Sequence, residues 1–115
     1  MTFIRNCVLS LLTVATAMPS LAHHTGGLTT TTATVYHPWY IGRRTACGDV
    51  YQASVISAAH PHYPCGTKLL IRHKDRAVPV RVNDRCACGI DLSYAAAIAL
   101  GVPTDGIGRV SFQKI

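Results

Sequence analysis

The chain has 115 residues, 49% of them hydrophobic, with eleven Lys and Arg against five Asp, no Glu, and a formal net charge of +6. That length suits one compact domain on a single core and leaves too little chain for two. A basic surface fits an anionic partner such as a wall polymer. Nucleic-acid binding is not expected, because Arg43, Arg44, Arg72, Lys74, Arg76, Arg81 and Arg85 are dispersed and match no nucleic-acid module.

Residues 1–22 read as a secretory signal peptide: Arg5 supplies the positive end, Val8 to Ala17 the apolar stretch, and Pro19 with Ser20-Leu21-Ala22 a small-residue cleavage site. Cleavage near Ala22 would start the mature chain at His23, in the periplasm or outside the cell. The apolar stretch, interrupted by Thr13 and Thr16, is short for a bilayer span, so no membrane anchor is expected. Cys7 lies too early in that segment to be a lipid-attachment cysteine. Removing 22 of 115 residues leaves 93, with cysteines at 47, 65, 86 and 88, and an even count in an exported chain reads as two disulfides. One of the possible pairings joins Cys86 to Cys88 across a single residue, a tight ring. Bonds from Cys47 and Cys65 to the Cys86/Cys88 pair are expected instead, with their order open.

Residues 23–32, HHTGGLTTTT, carry no apolar periodicity and read as a flexible lead-in that becomes extended at the Thr run, so the domain is expected over 33–115. Ala33 to His37 reads as a strand, followed by the Pro-broken aromatic loop His37-Pro-Trp-Tyr, and Val55 to Ala59 is a second short strand. Thr67 to His73 and Ala77 to Val82 are β-rich runs joined by Lys74-Asp75-Arg76, a hairpin signal, although Pro79 weakens the second run as a central strand. Ser93 to Leu100 predicts a helix, with Ser93 as its cap, an Ala run inside it, and Gly101 with Pro103 at its end. Arg109 to Ile115 closes the chain as a strand. Many short strands with one helix in about 80 residues predict a small closed barrel.

Six blocks occur in order: Ala33-Thr-Val-Tyr36, Thr45-Ala-Cys-Gly-Asp-Val-Tyr51, Ser57-Ala-Ala-His60, Pro64-Cys-Gly-Thr67, Val80-Arg-Val-Asn-Asp-Arg85 and Ile90-Asp-Leu-Ser-Tyr-Ala-Ala-Ala97. Together they resemble the rare lipoprotein A family of lytic transglycosylases. The resemblance implies a mainly β fold, a six-stranded double-psi β-barrel, acting on peptidoglycan glycan strands without a cofactor or metal, and a monomer is expected. It places the family's acidic residue on Asp49, its histidine on His60, its Asn-Asp-Arg aspartate on Asp84, and an aspartate shared with expansins on Asp91. Asp49 stands where the family has Glu, and the four cysteines are closer to barwin-like and fungal relatives of the barrel. A non-catalytic, expansin-like wall-loosening module and a barwin-like defence or inhibitor protein are therefore the alternatives.

Lytic transglycosylases protonate the leaving oxygen of the muramyl bond, and the sugar's own 6-hydroxyl then closes a 1,6-anhydro ring. One carboxyl group can serve both proton transfers. Asp84 is the expected acid, with His60 orienting it or the substrate, Asp49 as auxiliary base, Asp91 as a further carboxylate and Arg85 as a substrate-binding residue beside them. Tyr36, Trp39 and Tyr40 offer faces for sugar rings. Plainer roles exist for the same residues: a turn for Asn83-Asp84, a helix start for Asp91, a strand end for His60 and a barrel cover for the aromatics. A Cys47 thiol nucleophile, a metal held by Cys86-x-Cys88 with His60 or His62, and copper at His23 with His24 are weaker readings of these residues.

Overall fold

A computed structural model describes residues 27–115; the signal peptide and the His23-His24 pair lie outside the described residues. The strands are β1 (Thr29–Val35), β2 (Ser57–Ala59), β3 (Lys68–His73), β4 (Arg76–Asp84), β5 (Ile90–Leu92) and β6 (Gly108–Lys114), with one helix, α1 (Tyr94–Leu100). They close into a barrel in the order β1-β5-β2-β4-β3-β6. β1 runs parallel to β5 and β2 parallel to β4, while every other neighbouring pair is antiparallel. The Thr run belongs to the barrel: Thr29 to Thr32 pair with β6, because β-branched residues suit a pleated surface.

Alternation along the strands fills the interior. Leu69, Ile71, Val80, Val82, Val110 and Phe112 point inward, with Ala33, Ile90 and Leu92 from the β1/β5 side. α1 covers one end with Ala96, Ala97 and Leu100. Its cap ties the helix to the barrel, since the Ser93 Oγ accepts from the Ala96 N–H at 3.1 Å and from the Ser57 N–H at 3.0 Å. Gly101, at φ 73°, supplies the left-handed residue that ends the helix.

Pro79 sits inside β4 without breaking it. The Val82 N–H donates to Thr67 on the β3 side, so the two-residue repeat turns the Pro79 nitrogen toward the other edge of β4. There β2 reaches only from Arg81 to Asp84 and leaves no acceptor waiting. Gly89, just before β5, is required by close approach: a Cβ there would collide with the Thr31 hydroxyl and the Thr32 carbonyl of β1.

Both disulfides form, but with a pairing other than the expected one: Cys47 bonds Cys65, and Cys86 bonds Cys88. The reason is how the loops dock on the end of β4. Ala46 donates its N–H to Asp84, and Gly66 donates its N–H to the Val82 carbonyl, which brings Cys47 and Cys65 to a Cα separation of 5.8 Å. Cys86 and Cys88 lie in the sharp link from β4 to β5, whose fold-back sets their Cα atoms 5.2 Å apart. With all four sulfurs oxidised, neither a Cys47 nucleophile nor a Cys86-x-Cys88 metal site is present.

Candidate active site

Register builds the site. Ala59 of β2 is paired with Asp84 on one side and Asp91 on the other, and Asp91 is paired in turn with Thr34 of β1. Thr34, Asp91, Ala59 and Asp84 therefore form one row across four neighbouring strands, with the two aspartate backbones about 10 Å apart at ordinary strand spacing. β4 carries an extra residue here, because Ala58 pairs with Val82 but Ala59 with Asp84, and this bulge re-aims the end of the strand.

Three donors converge on Asp84. The Tyr36 hydroxyl donates to its Oδ2 at 2.6 Å, and the N–H groups of Ala46 and Arg85 donate to its Oδ1 at 2.7 and 2.8 Å. Both carboxyl oxygens of Asp84 thus already face donors. Tyr36 is only 6% exposed and stacks on Tyr51 with ring centroids 4.3 Å apart. Burial, the Asp84 hydrogen bond and the negative charges of Asp84 and Asp91 push the Tyr36 phenol up, which keeps it a donor.

Asp91 is held differently. Among the described residues its side chain accepts one hydrogen bond, from the Thr34 hydroxyl to Oδ1 at 2.9 Å. Burial raises its pKa, the Thr34 bond opposes that, and the charge of Asp84 raises it further. Of the two carboxyl groups in the row, Asp91 is thus the one biased toward carrying a proton.

The other expected residues take separate positions. Asp49 turns to the Arg81 guanidinium at 2.9 Å and the Asn83 amide at 3.3 Å, and the Arg81 bond holds its carboxyl below the usual range. Its cavity, about 310 Å³, is lined by Val55, Ser57, Arg81 and Asn83 and does not include Asp84. The His60 ring does not bond Asp84; the link is made by backbone, from the His60 N–H to the Asp84 carbonyl at 3.1 Å. The Arg85 guanidinium spans the same two residues, donating to the His60 carbonyl at 3.1 Å and to the Asp84 carbonyl at 3.3 Å. Tyr40 stands edge-on to Tyr36 at 5.6 Å, and Trp39, 58% exposed, lies under the Arg43 guanidinium at 3.4 Å. An aromatic run thus leads from the buried Tyr51 and Tyr36 out to the surface.

Thr34, Tyr51 and the Ala46 N–H are parts of this arrangement that the sequence reading passed over. Thr34 had a signal: two residues before Tyr36, it falls on the same face of an extended chain. Among the described residues no cluster of three or more His, Cys, Asp or Glu is placed to hold a metal ion, and no helix is long and apolar enough to cross a membrane.

The His60 ring has a structural task with a pH signature. Its Nδ1 accepts from the N–H groups of His62 and Tyr63 at 3.0 and 3.1 Å, a role that needs the neutral ring. Burial, then the charges of His62 and Arg85, lower its pKa below the ordinary 6.5. A lowered histidine stabilises the fold fully above that ordinary value and loses its contribution as pH falls toward the folded value. The melting temperature is expected to drop between about pH 7 and pH 5, and His60→Asn, with no ring to titrate, should flatten that part of the curve in a calorimetric pH series.

A closed six-stranded barrel in the order β1-β5-β2-β4-β3-β6 with two parallel strand pairs defines the class: a double-psi β-barrel. The chain belongs to the lytic transglycolase family of such barrels, whose profile matches residues 32–112. It is 40% identical over 89 residues to the endolytic peptidoglycan transglycosylase RlpA of Haemophilus influenzae, a match covering 72% of this chain and 31% of that one. The corresponding RlpA of Pasteurella multocida is 37% identical, with 30% of its length covered, so the chain spans under a third of these relatives. A Synechocystis protein of similar size is 39% identical, and 94% of it is covered. Among solved structures, a Streptomyces papain inhibitor superposes with TM-score 0.65 and 26% identity, over 80% of this chain and 97% of that one. An expansin of Clavibacter michiganensis gives TM-score 0.63 and 27% identity, over 77% of this chain and 50% of that one.

Proposed function

We propose that this protein is an exported lytic transglycosylase that cuts peptidoglycan glycan strands, with Asp91 as the proton donor and Asp84 as the charged partner. The observation that carries the reading is the row itself: one aspartate met by three donors and another, half-buried, that accepts from the Thr34 hydroxyl and has a raised pKa. In the proposed step Asp91 protonates the glycosidic oxygen and the C1–O bond breaks. The negative Asp84 stabilises positive charge developing on the sugar. The 6-hydroxyl of the same sugar then attacks C1 and returns its proton to Asp91, so the acid is regenerated and no water is consumed. Membership of the family and the identity to the RlpA relatives support the substrate class. The two disulfides fit an oxidising compartment, in keeping with the signal-peptide reading of residues 1–22.

The expansin likeness supports a second reading, in which the same row binds glycan without cutting it, and a related expansin structure holds cellohexaose. Incubation with purified peptidoglycan separates the two. Cleavage gives soluble fragments ending in a 1,6-anhydro sugar by mass spectrometry, whereas binding alone moves the protein into the pellet and releases nothing.

A further inference from the structure

A groove of about 590 Å³ opens where β1 runs out, between Tyr94 at the start of α1 and the loop carrying Thr104 and Asp105. Thr34 and Tyr36 form part of its wall, and these are the two side chains that hold Asp91 and Asp84. The groove therefore borders the aspartate row through these two side chains, although neither aspartate lines it. Its volume falls within the range of about 300 to 1,000 Å³ usual for small-ligand sites.

From these features we infer that the groove is a sugar subsite taking an uncharged N-acetylhexosamine unit of the glycan, with Tyr94 as the platform and Asp105 as the hydrogen-bond acceptor. The inference rests on the proposed function and extends it to the neighbouring sugar. Tyr94 is half exposed and Pro38 and Val35 add apolar wall, which suits the face of a pyranose ring. Asp105 and the threonines offer oxygens, matching a ligand rich in hydroxyl and amide donors. Among the described residues the one basic side chain in the wall is His37, and its Nδ1 is taken up as acceptor of the Trp39 N–H at 3.0 Å. A carboxylate-bearing sugar would face Asp105 with no cation to offset it, so the unit placed here is the one without a lactyl group.

Tyr94 and Asp105 carry none of the hydrogen bonds that hold the aspartate row, so their side chains can be removed without dismantling it. The Tyr94 N–H donates to the Tyr51 hydroxyl from backbone, a bond Tyr94→Ala keeps, and Ala favours the helix. The probes are an N-acetylglucosamine hexamer and peptide-free glycan strands, titrated calorimetrically into the whole mature protein. Tyr94→Ala and Asp105→Ala are each expected to weaken binding of both probes by roughly tenfold at an unchanged melting temperature, the loss of one stacking face or one charge-assisted hydrogen bond. In turnover the same variants should raise KM and leave kcat near wild type. If wild type binds both probes and the two variants bind equally well, the groove is not a subsite, and the proposed function stands without it. If wild type binds neither probe, the proposed function and the subsite fall together.

Discussion

Asp91→Asn is expected to stop release of anhydro-muropeptides almost completely, by a factor of about 100 to 10,000, the usual cost of losing a general acid. Folding should survive, because the amide oxygen of Asn can still accept the Thr34 hydroxyl now bonded at 2.9 Å. The comparison is Asp84→Asn. Replacing that carboxylate puts an amide where three donors now converge, so the Tyr36 hydroxyl has to turn from donor to acceptor or a backbone N–H of Ala46 or Arg85 loses its partner, and the melting temperature should fall. Its rate loss is expected to be smaller, since it removes charge stabilisation and not the transferred proton. The pH profile adds a second check. Asp91 has its carboxyl raised above the ordinary 3.8, so the protonated, active form persists above that pH and the rate should fall as pH rises through the raised value. Burying a carboxyl in this way also means that its contribution to stability is full at acidic pH and is lost as the group ionises. A larger rate loss for Asp84→Asn than for Asp91→Asn would transfer the acid role to Asp84.

The two disulfides should differ sharply in what they stabilise. Cys47–Cys65 spans 18 residues of sequence, a loop whose closure constrains the unfolded chain, and its removal as Cys47→Ser with Cys65→Ser should cost about 3 kcal/mol. Cys86–Cys88 spans two residues and constrains little of the unfolded chain, so Cys86→Ser with Cys88→Ser should cost about half as much or less. Denaturant titration of the two double variants checks the ranking. The longer bond also fastens the loop that presents the Ala46 N–H to Asp84, so its loss should reduce activity as well as stability. Equal destabilisation by both pairs would mean that the folded state, not the unfolded chain, sets their effect.

Local signals carried the hairpin and the helix. Lys74-Asp75 turns between β3 and β4, and Ser93 and Gly101 bracket α1 where cap chemistry puts them. β5 was invisible because Ile90-Asp-Leu92 is three residues long and becomes a strand only by lying between β1 and β2. The cysteine pairing was illegible for the same reason. Proximity of Cys47 to Cys65 depends on two loops docking on β4, a tertiary event with no trace in spacing. Within the site, the motif blocks singled out Asp84 and Asp91, but their division of labour depends on which donors reach each one. Tyr36 was legible as an aromatic but not as a hydrogen-bond donor to Asp84. Asp49, expected beside the acid, is taken by Arg81 and Asn83, which lie two residues apart on β4.

The most direct test of the whole account is the chemical form of the sugar end after wild-type protein has acted on purified peptidoglycan. The account predicts a 1,6-anhydro muramyl end, lighter by one water than a hydrolysed end, because the 6-hydroxyl and not water attacks C1. A reducing muramyl end would contradict the intramolecular step, and intact strands across about pH 5 to 8, the span in which a tuned carboxyl acid works, would contradict cleavage itself.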